Sequence, residues 1–281
     1  DISCSTSIIC KKHHIQYPNG IYIDKWRIVE IQEFFQHLLK QLSTKINKNN
    51  LTKKMNTTKI KAFGTQAAEN DLELLTIERR EVQAKDIEID IYYCGVCHSD
   101  LHTARNDWGG TVYPAVPGHE IVGKILKVGN EVSKFKVGDL VAVGCMVDSC
   151  RTCKSCEQDL EQFCENGFTG TYNGKDPFFE DTRTFGGYAD SVIVDEHFVL
   201  RLPENLDMAA AAPLLCAGIT TWSPLKHWNV TETSKVAVVG LGGLGHMAIK
   251  LAKGLGAEVT LFSRTPGKTE DAKALGTDHV I

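Results

Sequence analysis

The stretch Lys235-Val236-Ala237-Val238-Val239-Gly240-Leu241-Gly242-Gly243-Leu244-Gly245 decides the fold of the C-terminal part of this chain. A strand-forming apolar run leads into a glycine-rich turn, residues 246–255 follow in helical spacing, and a second apolar run occupies 259–262. This order is the first unit of a parallel sheet that binds dinucleotides, with the pyrophosphate at the helix N-terminus. The candidate pyrophosphate contacts are Gly240, Gly242, Gly243, Leu244 and Gly245.

The end of the second apolar run indicates which nicotinamide dinucleotide is bound. An NAD enzyme offers an Asp or Glu to the ribose hydroxyls at this point. This chain has Ser263 and Arg264 there, with Lys268 close by. A hydroxyl and two cations hold a 2′-phosphate, whereas an acidic residue would repel it. NADP(H) is therefore favoured over NAD(H).

A second informative stretch, Cys97 to Glu120, carries candidate metal ligands. A thiolate donor, Cys97, opens it, and an imidazole donor, His119, lies near its end. Cys216, far along the chain, offers a second thiolate. Two thiolates and one imidazole leave the fourth position of a tetrahedral zinc open, which is typical of a catalytic rather than a structural site.

Residues close to these donors in sequence bear on the assignment of the zinc ligands, two in its favour and one as a competing ligand. Asp100 and Glu120 are available to orient the imidazole from beside the metal. Cys94 competes with Cys97 for the first ligand position, and a buried cysteine often packs as a small hydrophobic residue instead of binding a metal. Because Cys94 directly follows the alternating run 87–93, we expect Cys94 to be the packing cysteine.

Four further cysteines have the spacing of a closed metal site. The pattern C-x-x-C-x-x-C with a fourth cysteine eight residues on can enclose one ion, which leaves no open position and no chemistry. Zinc is the expected ion, and an iron–sulfur cluster with similar ligands is the less favoured alternative. The candidate structural ligands are Cys150, Cys153, Cys156 and Cys164.

Composition sets limits on the class of protein. A chain of 281 residues with 42% hydrophobic residues fits a mixed α/β protein of two domains, and its net charge of -4 argues against a nucleic-acid-binding surface. No apolar run approaches the ~18 residues of a membrane span, and the N-terminus lacks the order of a signal peptide. We therefore expect a cytoplasmic protein with neither nucleic-acid nor membrane partners.

The chain divides into three parts by composition. Residues 1–54 carry nine Lys and Arg against four Asp and Glu, and are expected to be an upstream, non-native or disordered extension. A basic arm that docks a partner is the alternative. Residues 55–203 alternate in short apolar runs and predict an all-β domain, a partly open barrel. Residues 204–281 predict the first part of the dinucleotide-binding domain.

From Met55 onward the chain resembles the zinc-dependent medium-chain alcohol dehydrogenases, most closely the cinnamyl alcohol dehydrogenase branch with its bacterial NADP-dependent aldehyde-reductase relatives. The matching pieces are Gly95-Val96-Cys97-His98-Ser99-Asp100-Leu101-His102, Pro114 to Glu120, the four-cysteine cluster, Leu215 to Thr220 and the glycine-rich turn. The resemblance implies a mixed α/β protein, with a GroES-like β-barrel catalytic domain and a partial, C-terminally truncated Rossmann domain.

The resemblance also implies roles for individual residues. The catalytic zinc ligands would be Cys97, His119 and Cys216, with Glu120 and Asp100 next to them. Ser99 would take the substrate proton and His102 would pass it toward solvent. Thr220 would lie against the nicotinamide and His98 near the pyrophosphate, while Trp108 is similar in position to residues of the substrate pocket.

The function implied by the resemblance is the interconversion of primary alcohols and aldehydes with NADP(H) and two zinc ions per chain. The full-length form is expected to dimerise. Because the sheet stops at Val280-Ile281, the sequence is expected to be an incomplete chain. The alternatives are a non-catalytic metal-binding interaction module, an inactive fragment, or a zinc-free quinone reductase of the same fold. Two bound zinc ions would exclude the quinone reductase.

Overall fold

The computed structural model describes residues 56–176 and 183–281. The expectations for the 1–54 extension and for Met55 fall outside these residues. The strands are β1 Thr57–Gly64, β2 Glu73–Arg80, β3 Asp86–Cys94, β4 Ile121–Val128, β5 Leu140–Val143, β6 Met146–Asp148, β7 Thr169–Gly170, β8 Ser191–Asp195, β9 Leu200–Arg201, β10 Lys235–Val239, β11 Glu258–Phe262 and β12 His279–Val280.

The helices are fewer and concentrate in the C-terminal part. The α-helices are α1 His98–Ala104, α2 Met208–Ala211, α3 Ala217–His227, α4 Gly243–Gly254 and α5 Thr269–Ala274. Short 3-10 helices are Cys156–Gln158, Glu161–Phe163, Glu196–Phe198, Ala212–Leu215 and Pro266–Lys268. Within the described ranges no single helix is long and apolar enough to cross a membrane, and one bent pair, Met208–Leu215 with Ala217–His227, passes on length and composition alone.

The N-terminal domain is built on an antiparallel five-stranded sheet in the order β8-β3-β4-β5-β9. β1 and β2 form a separate antiparallel pair, which meets the β8 side of the domain through a bridge between Ala62 and Ala189. The predicted β domain is confirmed. In β3 the period-two alternation works as expected, because Ile87 and Ile89 are fully buried.

One core cluster holds this sheet together. Its members are β-branched residues, which pack well on a pleated surface. The buried set is Ile87, Ile89, Ile121, Ile125, Val141, Val143, Val192, Val194 and Val199. Cys94 packs against this cluster, as expected for the packing cysteine.

The expectation of an all-β N-terminal domain was wrong at one element, α1. This helix has only seven residues, too few for a helical period to show in the sequence. Its start is fixed locally, because the carboxylate of Asp100 accepts a hydrogen bond from the backbone N–H of Cys97 at 2.8 Å. A metal-ligand candidate therefore stands at the helix N-cap.

The C-terminal part is a parallel sheet in the order β10-β11-β12. α4 follows the glycine-rich turn and packs on this sheet through Ile249 and Ala252, both fully buried. The strand, turn, helix and strand order predicted from the sequence is confirmed, although α4 starts at Gly243, three residues before the predicted helical run.

The helical segment after Pro203 packs on the β domain. Ala211, Ala212 and Leu215 form a buried cluster with Val122 of β4 and Ala142 of β5. This packing places Cys216 beside the β domain. The domain boundary after residue 203 stays a prediction.

Candidate active site

Three elements bring the candidate metal donors together. Cys97 caps α1, His119 and Glu120 immediately precede β4, and Cys216 lies between the 3-10 helix Ala212–Leu215 and α3. One donor atom from each of these residues lies within 4.8 Å of the others, and the Sγ atoms of Cys97 and Cys216 are 3.8 Å apart. Residues far apart in sequence thus form one compact donor cluster.

The imidazole of His119 shows that the cluster fits a metal ion. Its Nε2 is buried and has no hydrogen-bond partner within residues 56–176 and 183–281. A buried polar atom without a partner is costly, so such an atom in a native protein is expected to face an ion or water. Two sulfurs and this nitrogen are donors that zinc prefers.

The other nitrogen of His119 is held by a buried network. Nδ1 lies 3.2 Å from Oδ1 of Asp100 and 3.1 Å from the hydroxyl oxygen of Tyr172. The Asp100 carboxylate also accepts hydrogen bonds from the backbone N–H of Cys97 and Gly118 and from the hydroxyl of Tyr188. Asp100 therefore joins the helix cap to the metal-ligand candidate.

The electrostatics of the cluster favour positive charge. Burial acts to lower the pKa of His119, but the adjacent Asp100 carboxylate and the nearby Cys216 sulfur outweigh burial and raise the pKa to about 10. Burial acts to raise the pKa of Asp100, yet its bond with His119 and the backbone donors leave that pKa below the usual value. A group of thiols and carboxylates that stabilises a proton on an imidazole is equally suited to a cation.

Glu120 lies at the edge of the donor cluster. Its carboxylate packs over Gly95, where a Cβ atom would collide with Glu120 Oε2. Burial raises the pKa of Glu120. The side chain is thus confined close to the thiols and the imidazole, either as an additional ligand or as a support beside the metal.

The four-cysteine cluster forms a second candidate metal centre. Its four sulfurs lie within 4.8 Å of one another, and all four cysteines are free. The Sγ atoms of Cys153 and Cys156 are 3.5 Å apart. A hydrogen bond from the backbone of Thr152, followed by one from Asn166, lowers the pKa of Cys150 to about 5. A thiolate is the metal-binding form of cysteine, so the lowered pKa favours metal binding at Cys150, while the proximity of the four sulfurs is what suits a closed Cys₄ site.

The proton-relay candidates lie on α1, but they are not joined directly. Ser99 Oγ is 3.6 Å from Cys97 Sγ, at the donor cluster. Within the described part of the chain no hydrogen bond connects Ser99 to His102, so their joint role as a proton relay stays a prediction. His102 Nδ1 is instead 2.8 Å from Oδ2 of Asp107, a partner that the sequence analysis missed.

Aromatic rings surround His102 on the exposed side of α1. The imidazole of His98 lies 4.7 Å from that of His102, and Trp108 lies 4.8 Å from it on ring centroids. The Trp108 side chain is 64% exposed. Thr220 is also exposed and lies one helical turn after Cys216. The side chains of His98, Trp108 and Thr220 are therefore accessible, and their roles in ligand binding stay predictions.

The glycine-rich turn has the shape required for a dinucleotide. Gly240 has φ +86, and around Gly242 and Gly243 there is open space where a Cβ would point. A Cβ at Gly245 would instead collide with the carbonyl oxygen of Gly240, so α4 can approach the strand only with glycine there. Leu244 is exposed at the start of α4.

The predicted 2′-phosphate contacts stand at the same end of the sheet. The backbone N–H of Gly240 donates to the carbonyl oxygen of Phe262, which places the turn beside Ser263 and Arg264. Lys268 Nζ donates to the carbonyl oxygen of Leu241 at 3.0 Å. The structure therefore brings both halves of the predicted cofactor site together.

Sequence reasoning missed several residues of this site. Tyr172 and Tyr188 contact the network around His119, and a hydrogen bond pairs the thiol of Cys145 with Cys216. The sequence offered one general signal for such residues, because a metal-bound histidine needs a hydrogen-bond partner on its second nitrogen. It does not say which residue supplies that partner.

Two family models match the chain. An alcohol dehydrogenase GroES-like domain matches residues 83–204, and a zinc-binding dehydrogenase model matches residues 243–281. The aldehyde reductase YahK of Escherichia coli is 54% identical over 224 residues, 79% of this chain and 64% of that relative. The NADP-dependent alcohol dehydrogenase C 1 of Mycolicibacterium smegmatis is 53% identical over 218 residues, 77% of this chain and 62% of that relative.

Solved structures give the same result. A cinnamyl alcohol dehydrogenase from Sorghum bicolor superimposes with a TM-score of 0.78 at 43% identity. The match covers 80% of this chain and 64% of the Sorghum bicolor chain. The structure of CAD from Helicobacter pylori complexed with NADP(H) superimposes with a TM-score of 0.78 at 44% identity. This match covers 80% of this chain and 65% of the Helicobacter pylori chain.

The chain spans a little under two thirds of the length of these relatives. Its GroES-like and Rossmann parts match the two family models in the expected order. The chain belongs to the zinc-dependent medium-chain alcohol dehydrogenase family.

Proposed function

We propose that this chain carries the zinc site and the first part of the cofactor site of an enzyme that interconverts primary alcohols and aldehydes with NADP(H). The observation that carries the proposal is the buried, unpartnered Nε2 of His119 beside the sulfurs of Cys97 and Cys216. The names of the relatives, an aldehyde reductase and NADP-dependent alcohol dehydrogenases, support the reaction class.

Zinc and NADP(H) have defined places in this proposal. Cys97, His119 and Cys216 hold the catalytic zinc, with Glu120 confined beside them, and Cys150, Cys153, Cys156 and Cys164 hold a structural zinc. When bound, the catalytic zinc supplies Lewis-acid polarisation of the substrate oxygen, and NADP(H) supplies the hydride chemistry.

The protein residues supply proton transfer and orientation. Ser99 accepts the proton of an alcohol at its Oγ, or returns it to the product of aldehyde reduction. A bridging hydroxyl or water carries that proton from Ser99 to His102, and His102, paired with Asp107, passes it toward solvent. The exposed Trp108 and Thr220 border the space for the substrate and the nicotinamide.

Cofactor selectivity follows from the end of β11. Ser263, Arg264 and Lys268 recognise the 2′-phosphate, and His98 with the turn from Gly240 to Gly245 holds the pyrophosphate. A hydrogen bond between a charged donor and a phosphate contributes about 1.5–3 kcal/mol, so we expect NADPH to be preferred by about tenfold or more.

The test is a steady-state assay of the zinc-loaded full-length protein with NADPH or NADH against a panel of aromatic and medium-chain aldehydes. We expect aldehyde-dependent oxidation of NADPH, loss of that activity in His119→Ala, and a smaller preference for NADPH in Arg264→Ala. Oxidation that is independent of aldehyde, or an unchanged rate in His119→Ala, would refute the proposal. The cytoplasmic location, the lack of nucleic-acid and membrane partners and the homodimer of the full-length form stay predictions.

A further inference from the structure

Two tyrosine hydroxyls lie beside the proposed metal ligand His119. The hydroxyl oxygen of Tyr172 is 3.1 Å from His119 Nδ1, and the two rings lie 5.3 Å apart on their centroids. The hydroxyl of Tyr188 donates to Oδ2 of Asp100 at 2.9 Å. Both side chains come from the segment after the four-cysteine cluster, far in sequence from the residues that they contact.

The protonation state of the imidazole determines what these hydroxyls can do. When Nε2 serves as a metal ligand, the neutral ring carries its one proton on Nδ1. That proton faces two acceptors, Oδ1 of Asp100 at 3.2 Å and the oxygen of Tyr172 at 3.1 Å. Tyr172 also shares a side-chain hydrogen bond with Asp100. Imidazole, phenol and carboxylate therefore form a closed triangle that fixes the ring plane.

Asp100 is held from several directions. Its side chain is almost fully buried, and the backbone N–H groups of Cys97 and Gly118 donate to its two oxygens at 2.8 and 3.0 Å. Tyr188 adds a donor from a third segment of the chain. Burial, followed by the charge of Asp100, raises the pKa of both tyrosines, so the hydroxyls keep their protons.

We propose that Tyr172 and Tyr188 are positioning residues that hold the His119 imidazole toward the catalytic metal, Tyr172 by contact with Nδ1 and Tyr188 through Asp100. The inference rests on the metal site of the proposed function. Loss of a partner of this kind costs about 10–100-fold in metal affinity or activity in other proteins. Because Tyr172 contacts the ligand itself, its hydroxyl has the larger effect.

The test measures how fast zinc leaves the site. Tyr172→Phe, Tyr188→Phe and the control Tyr113→Phe each remove a single hydroxyl. Tyr113 donates to the carbonyl oxygen of Ala104 at the end of α1, at 2.8 Å and apart from the His119 network. The zinc-loaded 281-residue protein is mixed with the chelator pyridylazoresorcinol, which changes colour as it takes up released zinc. The kinetic phase of zinc release that is absent in His119→Ala is assigned to the catalytic metal.

We expect this phase to accelerate about tenfold in Tyr172→Phe and by a smaller factor in Tyr188→Phe. It should be unchanged in Tyr113→Phe, and release from the four-cysteine cluster should be equal in all variants. A second measurement replaces zinc with cobalt(II). The visible absorption bands of the catalytic cobalt should shift in Tyr172→Phe and Tyr188→Phe only, because a merely structural role would not alter the ligand field.

Wild-type release rates and cobalt spectra in the two variants would overturn the inference. Thermal unfolding checks that each variant is folded, and if Tyr172→Phe is not, Tyr188→Phe decides on the same two readouts. The outcome is separable from the proposed function. Altered metal release together with no aldehyde reduction by the full-length protein would refute the reaction and leave the roles of the tyrosines in place.

Discussion

Gly245 is packed against the carbonyl oxygen of Gly240, where the strand meets the following helix. Any side chain at this position has to push α4 away from β10, and α4 carries the buried Ile249 and Ala252 of the C-terminal core. Gly243, two residues earlier, has open space instead. The packing constraint therefore applies to Gly245 and not to Gly243.

We expect Gly245→Ala to lower the free energy of unfolding by about 1–3 kcal/mol, the usual cost of overpacking. Gly243→Ala is the matched control and should be neutral or stabilising by up to about 1 kcal/mol, since alanine favours the helix. Urea denaturation of both variants measures this. Equal stability of the two variants would contradict the packing argument.

Residue chemistry and spacing were sufficient to select Cys97, His119 and Cys216, which the structure brings together. Residue chemistry and spacing were not sufficient to predict which residues hold these donors in place. Tyr172 lies 53 residues from His119, and Tyr188 lies 88 residues from Asp100. A contact over such a separation depends on how strands and loops pack, and a single sequence carries no local signal for it.

At the scale of elements, one carboxylate links the residue before β12 to β11 and to α4. Asp278, just before β12, accepts hydrogen bonds from the backbone N–H of Val259 in β11 at 2.6 Å and from Lys253 Nζ of α4 at 2.8 Å. The bond from Lys253, followed by the one from Val259, lowers the pKa of Asp278. The carboxylate therefore stabilises the folded state in its ionised form.

A lowered pKa in the folded state implies a stability contribution that is present above the unfolded pKa of about 4 and lost as the pH falls through the folded pKa. We expect the stability of the wild-type protein to decline more steeply below about pH 4 than that of Asp278→Asn, which should be less stable at pH 7. Unfolding measured from pH 3 to 7 tests this. Glu270→Gln, which alters an exposed pair with Lys273, is the control. Parallel profiles for wild type and Asp278→Asn would refute the assignment.

The regular strands were the most predictable elements. β10 has the predicted bounds, because a short apolar run that ends at the glycine-rich turn marks it. Helix α1 was not predicted, since its stability depends on Asp100 and on contacts with distant segments. Short elements at a site are determined by tertiary contacts, and those are weakly encoded in local sequence.

At the scale of the whole molecule, residues 56–281 contain a self-consistent set of strand pairings. Each of the described strands pairs with another described strand. Residues 1–54 carry an excess of positive charge, while the remainder has an excess of negative charge. The division into an extension and a catalytic part stays a prediction from composition, whereas the packing of Leu215 on the β domain has no signal in composition.

We expect a protein that starts at Met55 to remain folded, soluble and loaded with both metals. The reason is that the strand pairing and the two donor clusters lie within residues 56–281. Size-exclusion chromatography and circular dichroism of the shortened and complete chains measure the effect. Loss of soluble protein on removal of residues 1–54 would contradict the expectation that this segment is an extension separate from the fold.

The central claim is that two donor clusters hold two zinc ions with different roles, and the zinc content of the purified protein tests it most directly. Plasma mass spectrometry should find two zinc ions per chain in the wild type, one for each cluster. It should find one in folded His119→Ala, since the four-cysteine site is intact. A single zinc in the wild type, or two in His119→Ala, would contradict the account.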